Sequence, residues 1–136
     1  MDITENAPLS PLTTFQIGGP ARYLLVAHSV AEVKEAVEFA KEKTLPLFML
    51  GGGSNLLVSD EGFDGVVLKI ELRGIEIGEG VDPNTKIIIA EAGEGWDTLV
   101  ERACQENLWG MENLSGIPGT VGGAVVQNIG AYGTAL

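Results

Sequence analysis

The stretch Ser115-Gly116-Ile117-Pro118-Gly119-Thr120-Val121-Gly122-Gly123-Ala124, continuing through Val125-Val126-Gln127-Asn128-Ile129-Gly130-Ala131-Tyr132-Gly133, decides how this chain is read. Glycines at 116, 119, 122 and 123 let a flat or phosphorylated ligand approach the backbone with no Cβ in the way. A short helix is expected to begin near Thr120, with its free N–H groups aimed at a pyrophosphate. By composition alone, the same stretch also reads as a glycine-rich packing loop. It lies in the longest uncharged run of the chain, residues 113–136. That run is long enough to span a bilayer, but six glycines, Pro118 and several amides and hydroxyls exclude a transmembrane helix.

A second glycine cluster lies upstream: GGGSNLL, residues 51–57, directly after the apolar run PLFML at 46–50. Three glycines allow backbone N–H groups to converge on an anion, and Ser54 and Asn55 add side-chain donors. An ordinary turn between strands is the alternative. Neither a G-x-G-x-x-G fingerprint nor a G-x-x-x-x-G-K-[ST] loop occurs, so Rossmann-type dinucleotide binding and Walker-type hydrolysis lose support. Two glycine loops, each opening from a structured element, favour an extended, two-ended ligand over a point anion.

Around these loops the periodicities give a mixed order of strands and helices, without the regular βαβα alternation of a doubly wound sheet. Residues 1–20, with three prolines and Gly18-Gly19, read as an irregular lead-in. Strands are expected at 21–27, 46–50, 65–70, 74–78 and 85–92, the last two separated by the turn Asp82-Pro83-Asn84. Ser29 with Glu32 forms a capping box, and Val30, Val33, Val37 and Ala40 recur at helical spacing as far as 41–43. Trp96, Leu99, Val100, Ala103 and Cys104 make one apolar stripe, so 96–106 is an amphipathic helix with Cys104 as a buried small hydrophobe. Trp96 reads as core. His28 reads as a surface histidine, Glu32, Glu35 and Glu38 as a solvated helix face, and Tyr132 as either a packing or a ligand-facing ring.

Composition narrows the function. The 136 residues suit one compact domain, and eight basic against nineteen acidic side chains give a formal charge of −11. Nucleic acid and anionic membrane surfaces are poor partners for such a chain. No Lys or Arg follows Arg102, so a phosphorylated ligand must be held largely by backbone N–H groups. One cysteine and one histidine exclude an intrachain disulfide framework and cysteine-rich or all-histidine metal sites. No signal-like segment follows Met1, which points to the cytoplasm.

Taken in order, TTFQIGGPA at 13–21, GGGSNLL at 51–57 and SGIPGTVGGAVVQNIGAYG at 115–133 resemble the FAD-binding part of the UDP-N-acetylenolpyruvoylglucosamine reductase (MurB) family. The resemblance covers nearly the whole chain. It implies an α+β fold, a two-lobed FAD-binding module of the vanillyl-alcohol oxidase (PCMH-type) superfamily, truncated before the substrate domain. The lobes would be residues 1–72 and 73–136, clasping FAD between them. It also implies that Gly51, Gly52, Gly53, Ser54, Asn55 and Leu56 surround the pyrophosphate. Ser115, Gly116, Gly119, Thr120, Gly122 and Gly123 would form the second pyrophosphate and flavin-side loop, with Gln127, Asn128 and Ile129 near the isoalloxazine. Val125 departs from the proline that many relatives carry.

The implied reaction, in the complete enzyme, is reduction of UDP-N-acetylglucosamine enolpyruvate to UDP-N-acetylmuramate by NADPH through FAD, in peptidoglycan synthesis. The family's catalytic arginine, serine and glutamate match nothing in this chain, so no catalytic residue is assigned and the chain alone is expected to be inactive. Relatives that bind flavin covalently often place a histidine in the first glycine loop. Ser54 and Asn55 stand there instead, which favours noncovalent FAD. Two other readings remain at this stage: an FAD-dependent oxidase of the same superfamily, and a non-catalytic nucleotide-binding module. The near-neutral 113–136 tail, if uncovered, would favour self-association.

Overall fold

Residues 63–70 carry four consecutive buried positions, Gly65, Val66, Val67 and Leu68, as a strand covered on both faces must. In the computed structural model, which describes all residues from Met1 to Leu136, this strand sits inside a four-stranded sheet. The chain divides into two compact units, Met1–Leu72 and Arg73–Leu136.

The first unit contains β1 (Asp2–Pro8), β2 (Pro20–Ala27), α1 (Val30–Glu42), β3 (Leu47–Leu50) and β4 (Phe63–Ile70), in the sheet order β1-β2-β4-β3. β1 runs antiparallel to β2, whereas β4 runs parallel to both β2 and β3. One face carries Leu25, Ala27, Val66 and Leu68 against Ala36 and Ala40 of α1. On the other face, Ala21, Leu50 and Val67 pack with Leu9, Leu12, Leu56 and Val58. Because β3 and β4 are parallel, the intervening residues 51–62 must travel back along the sheet. Leu56 and Val58 fold that return segment onto the second face, so the glycine loop begins at the C-terminal end of β3.

The lead-in is more ordered than its composition suggests. Asp2–Pro8 is an edge strand and Ser10–Leu12 a 3-10 turn, where irregular chain is expected from the sequence. Only Ala7 of DITENAP is buried, so no apolar alternation marks the strand; pairing along β2, from Asp2 with Val26 to Pro8 with Pro20, creates it. β4 likewise starts two residues earlier than its apolar run. In α1, Ser29 caps Glu32 N–H, and the Glu32 carboxylate accepts from the His28 N–H and pairs with the Met1 ammonium group. Glu32 therefore works structurally, while Glu35 and Glu38 are exposed as expected. Val30 is exposed and Ala36 is buried in its place, because the helix presents its 36/40 edge to the sheet.

The second unit contains the antiparallel hairpin β5 (Ile75–Glu79) and β6 (Lys86–Ala90), α2 (Trp96–Gln105), a 3-10 turn at Glu112–Leu114, α3 (Val121–Gln127), and the short hairpin β7 (Gly130–Ala131) and β8 (Thr134–Ala135). Its core gathers Trp96, Leu99, Val100, Leu114 and Ala124, with Ile75 and Ile88 packed against them. Cys104 is exposed, contrary to its place in the stripe. At about 100° per residue it lies roughly 80° around the helix from Trp96, beyond the buried arc formed by residues 96, 99, 100 and 103. No helix is long and apolar enough to cross a membrane.

Candidate functional site

The first glycine loop is tied down at its rear. Thr14 N–H donates to the Gly53 carbonyl at 3.1 Å, and Gly19 N–H to the Ser59 carbonyl at 2.8 Å, so residues 13–19 lace the 51–59 segment in place. The sequence motifs at 13–21 and 51–57 thus form one local structure. Gly53 is buried at φ +67°, and a Cβ there would stand 1.9 Å from the Leu12 carbonyl oxygen. Only glycine meets both demands. Gly51 and Ser54 are half-buried, Gly52 and Asn55 are exposed, and Leu56 turns into the apolar layer under the loop. None of the backbone hydrogen bonds that fix this loop uses the N–H of Gly51, Gly52 or Gly53. Beneath residues 56–59 lies an open apolar cavity of about 150 Å³, lined in part by Leu9, Leu50, Phe63 and Val67. That lining suits no phosphate, so the polar capacity of the segment lies in its glycine arm.

The second loop has the opposite character. Residues 92–97 grip residues 114–122 at six points. Gly122 N–H donates to Ala92 O (2.9 Å), Val121 N–H to Glu94 O (2.9 Å) and Trp96 N–H to Gly119 O (3.0 Å). The buried Trp96 indole Nε1–H donates to Leu114 O at 2.9 Å. Asp97 Oδ1 accepts both the Ser115 hydroxyl at 2.7 Å and the Gly116 N–H at 2.8 Å. These two donors, the Gly116 N–H first, hold the Asp97 carboxyl below its ordinary pKa. Thr120 caps α3 by accepting from the Gly123 N–H.

The N–H groups of Val121, Gly122 and Gly123 are therefore engaged within the chain. This corrects the expectation of free donors at the start of α3. Ser115 and Gly116 are exposed, Gly119, Thr120, Gly122 and Gly123 half-buried, and Gln127 and Asn128 exposed. Ile129 turns into the core, and Asn128 ends α3 in the left-handed conformation. Tyr132 and Trp109 are each 91 % exposed. His28 is exposed, with Nδ1 4.0 Å from Glu71. Sequence reading passes over Asp97, whose only signal is an acidic residue in the first turn of α2.

A family model described as the FAD binding domain matches residues 21–136. The chain belongs to this FAD-binding family. Among curated proteins it is similar to the UDP-N-acetylenolpyruvoylglucosamine reductase of Streptomyces coelicolor, at 48 % identity over 129 residues, covering 95 % of this chain and 32 % of the relative. The enzyme of the same name from Pseudomonas aeruginosa is 43 % identical over 136 residues, covering 100 % of this chain and 40 % of the relative. Among solved structures, the MurB crystal structure from Thermus caldophilus aligns with a TM-score of 0.73 and 32 % identity, over 98 % of this chain and 44 % of that one. The MurB resemblance read from the three motifs and the α+β FAD-binding fold are both borne out. The FAD-binding chain spans about a third to two-fifths of the length of these curated relatives.

Proposed function

We propose that this chain binds FAD noncovalently and forms the flavin-holding part of a reductase of the MurB type. The observation that carries the reading is the glycine arm at 51–53, whose N–H groups are left out of the loop's own backbone bonding. Backbone donors suit a pyrophosphate in a chain whose cations are scarce. FAD, once bound, supplies a ring that can accept and release a hydride. The chain's own part is to fix the loops of both units and to offer donors to the cofactor. Residues 51–56 would serve the pyrophosphate, and the segment 115–129 would serve the rest of the cofactor.

In the whole protein, NADPH would be the reductant and UDP-N-acetylglucosamine enolpyruvate the acceptor, in the cytoplasm, for peptidoglycan synthesis. The name that the relatives carry supports the enolpyruvyl acceptor. Val125, Val126 and Tyr132 stand exposed, an apolar surface on which copies of the chain would self-associate.

The test is titration of purified protein with FAD, followed by flavin fluorescence and calorimetry. Gly52→Val places a branched side chain on the exposed arm and is expected to weaken FAD at least tenfold, with the thermal midpoint of the FAD-free protein unchanged. Unaltered affinity in a folded Gly52→Val protein would remove the pyrophosphate from this loop. Absence of FAD binding by the wild-type chain would refute the reading as a whole.

A further inference from the structure

In the second loop a carboxylate already occupies two of the donors. Ser115 Oγ–H and Gly116 N–H are the first donors of the segment, and both point at one oxygen of Asp97. A phosphate brought to the same donors would have to displace that oxygen and stand beside its charge, an unfavourable like-charge contact. Farther along, the donors of Val121, Gly122 and Gly123 are also taken. Meanwhile Trp96 fixes both ends of the 114–119 segment, at Leu114 O through its indole and at Gly119 O through its backbone N–H. Gly116 at φ +79° and Gly119 at φ +125° give the segment a shape that must be held from outside. Asp97 is the only side chain bonded to its exposed corner at 115–116.

We propose that Asp97 is a positioning residue that holds the 115–116 corner in one shape and keeps its two donors from a phosphate, so that this loop meets the uncharged flavin half of the cofactor. This rests on the FAD reading above. It divides the labour between the loops: the glycine arm at 51–53 takes the anion, and the Trp96–Asp97 clamp presents a preformed neutral surface. Because the hydroxyl proton of Ser115 is engaged by Asp97, Ser115 meets the cofactor as an acceptor through its remaining lone pair.

The experiment compares wild type, Asp97→Asn, Asp97→Ala and Asp97→Ala/Ser115→Ala, each titrated with FAD, riboflavin and ADP. Thermal unfolding of the FAD-free proteins is measured alongside. Loss of a charge-assisted contact that orders the loop is expected to weaken FAD and riboflavin about fivefold to tenfold, with ADP unchanged within about twofold. Adding Ser115→Ala to Asp97→Ala should change riboflavin affinity by less than about twofold, since one contact is already lost. Weakening of ADP in parallel with FAD, or tighter ADP binding once the carboxylate is gone, would show that a phosphate uses this corner and overturn the proposal. A lower thermal midpoint with unchanged affinities would make Asp97 merely structural and overturn it equally. Wild-type protein that binds neither FAD nor ADP would instead overturn the FAD reading beneath it.

Discussion

Gly53→Ala tests whether the first glycine loop is built by close backbone approach, and Gly116→Ala supplies its internal control. Both glycines have positive φ, +67° and +79°. Placing an L residue in that region costs about 1–2 kcal/mol at either site. At Gly116 nothing lies within 4 Å of the added methyl, so the conformational term stands alone. At Gly53 the methyl would be 1.9 Å from the Leu12 carbonyl oxygen, a backbone atom with no rotamer to yield. The 12–14 and 53 segments must separate by more than 1 Å to restore an ordinary contact near 3.4 Å. That movement removes the Thr14 N–H to Gly53 O bond, worth about 1 kcal/mol, and adds packing strain of about 1–3 kcal/mol. The expected destabilisation is therefore about 3–6 kcal/mol for Gly53→Ala against about 1–2 for Gly116→Ala. Urea unfolding of the FAD-free proteins, followed by far-ultraviolet circular dichroism, measures both. Equal losses at the two positions would refute the steric account of the loop.

Two further outcomes follow from the same geometry. With Ser54 and Asn55 in the first loop and His28 exposed elsewhere, acid precipitation of FAD-reconstituted protein should leave a colourless pellet and all flavin in the supernatant; a yellow pellet would contradict noncovalent attachment. The Asp97 carboxyl is held below its ordinary pKa, so the stabilisation from its two bonds is complete above the unfolded value and disappears as pH falls through the folded one. Carboxyl NMR titration should place its midpoint below the usual aspartate range, and Ser115→Ala should raise it only part of the way, since the Gly116 N–H is the larger cause.

What the sequence displays depends on whether a residue's neighbours are local. The Ser29 N-cap, the Trp96, Leu99, Val100 and Ala103 positions of the apolar stripe and the Asp82-Pro83-Asn84 turn involve contacts within a few residues, and each appears in the structure where the pattern places it. β1 does not, because DITENAP is polar and acquires its strand from β2, some eighteen residues away. Cys104 shows that a heptad-like match at i+8 drifts off a narrow buried arc. The donor accounting at α3 was invisible for a similar reason. Thr120 announces a helix start, but the carbonyls of Ala92 and Glu94 that consume its first N–H groups come from across the unit. Asp97 is the same case reversed, a local helix-start residue whose partners lie 18 and 19 positions downstream.

The distribution of cations leads to a final expectation about salt. Six of the eight basic side chains are in ion pairs: Arg22 with Asp64, Lys41 with Glu38, Lys69 with Glu71, Arg73 with Glu94, Lys86 with Glu79 and Arg102 with Glu106. Lys43 lies over the rings of Tyr23 and Phe39. No basic residue occurs within 51–57 or after Arg102. On the proposed FAD reading, a pyrophosphate dianion approaching a chain of charge −11 is repelled at long range and attracted at contact by neutral N–H dipoles. Salt screens the first interaction and barely touches the second, since the Debye length falls from about 30 Å at 0.01 M to about 10 Å at 0.1 M. FAD affinity should accordingly hold steady or rise by about twofold between 0.01 and 0.3 M sodium chloride. A phosphate site made of lysine or arginine would lose affinity over the same range. If FAD binding weakens fivefold or more with salt, cations rather than the Gly51–Gly52–Gly53 amides carry the pyrophosphate, and the assignment of the first loop fails.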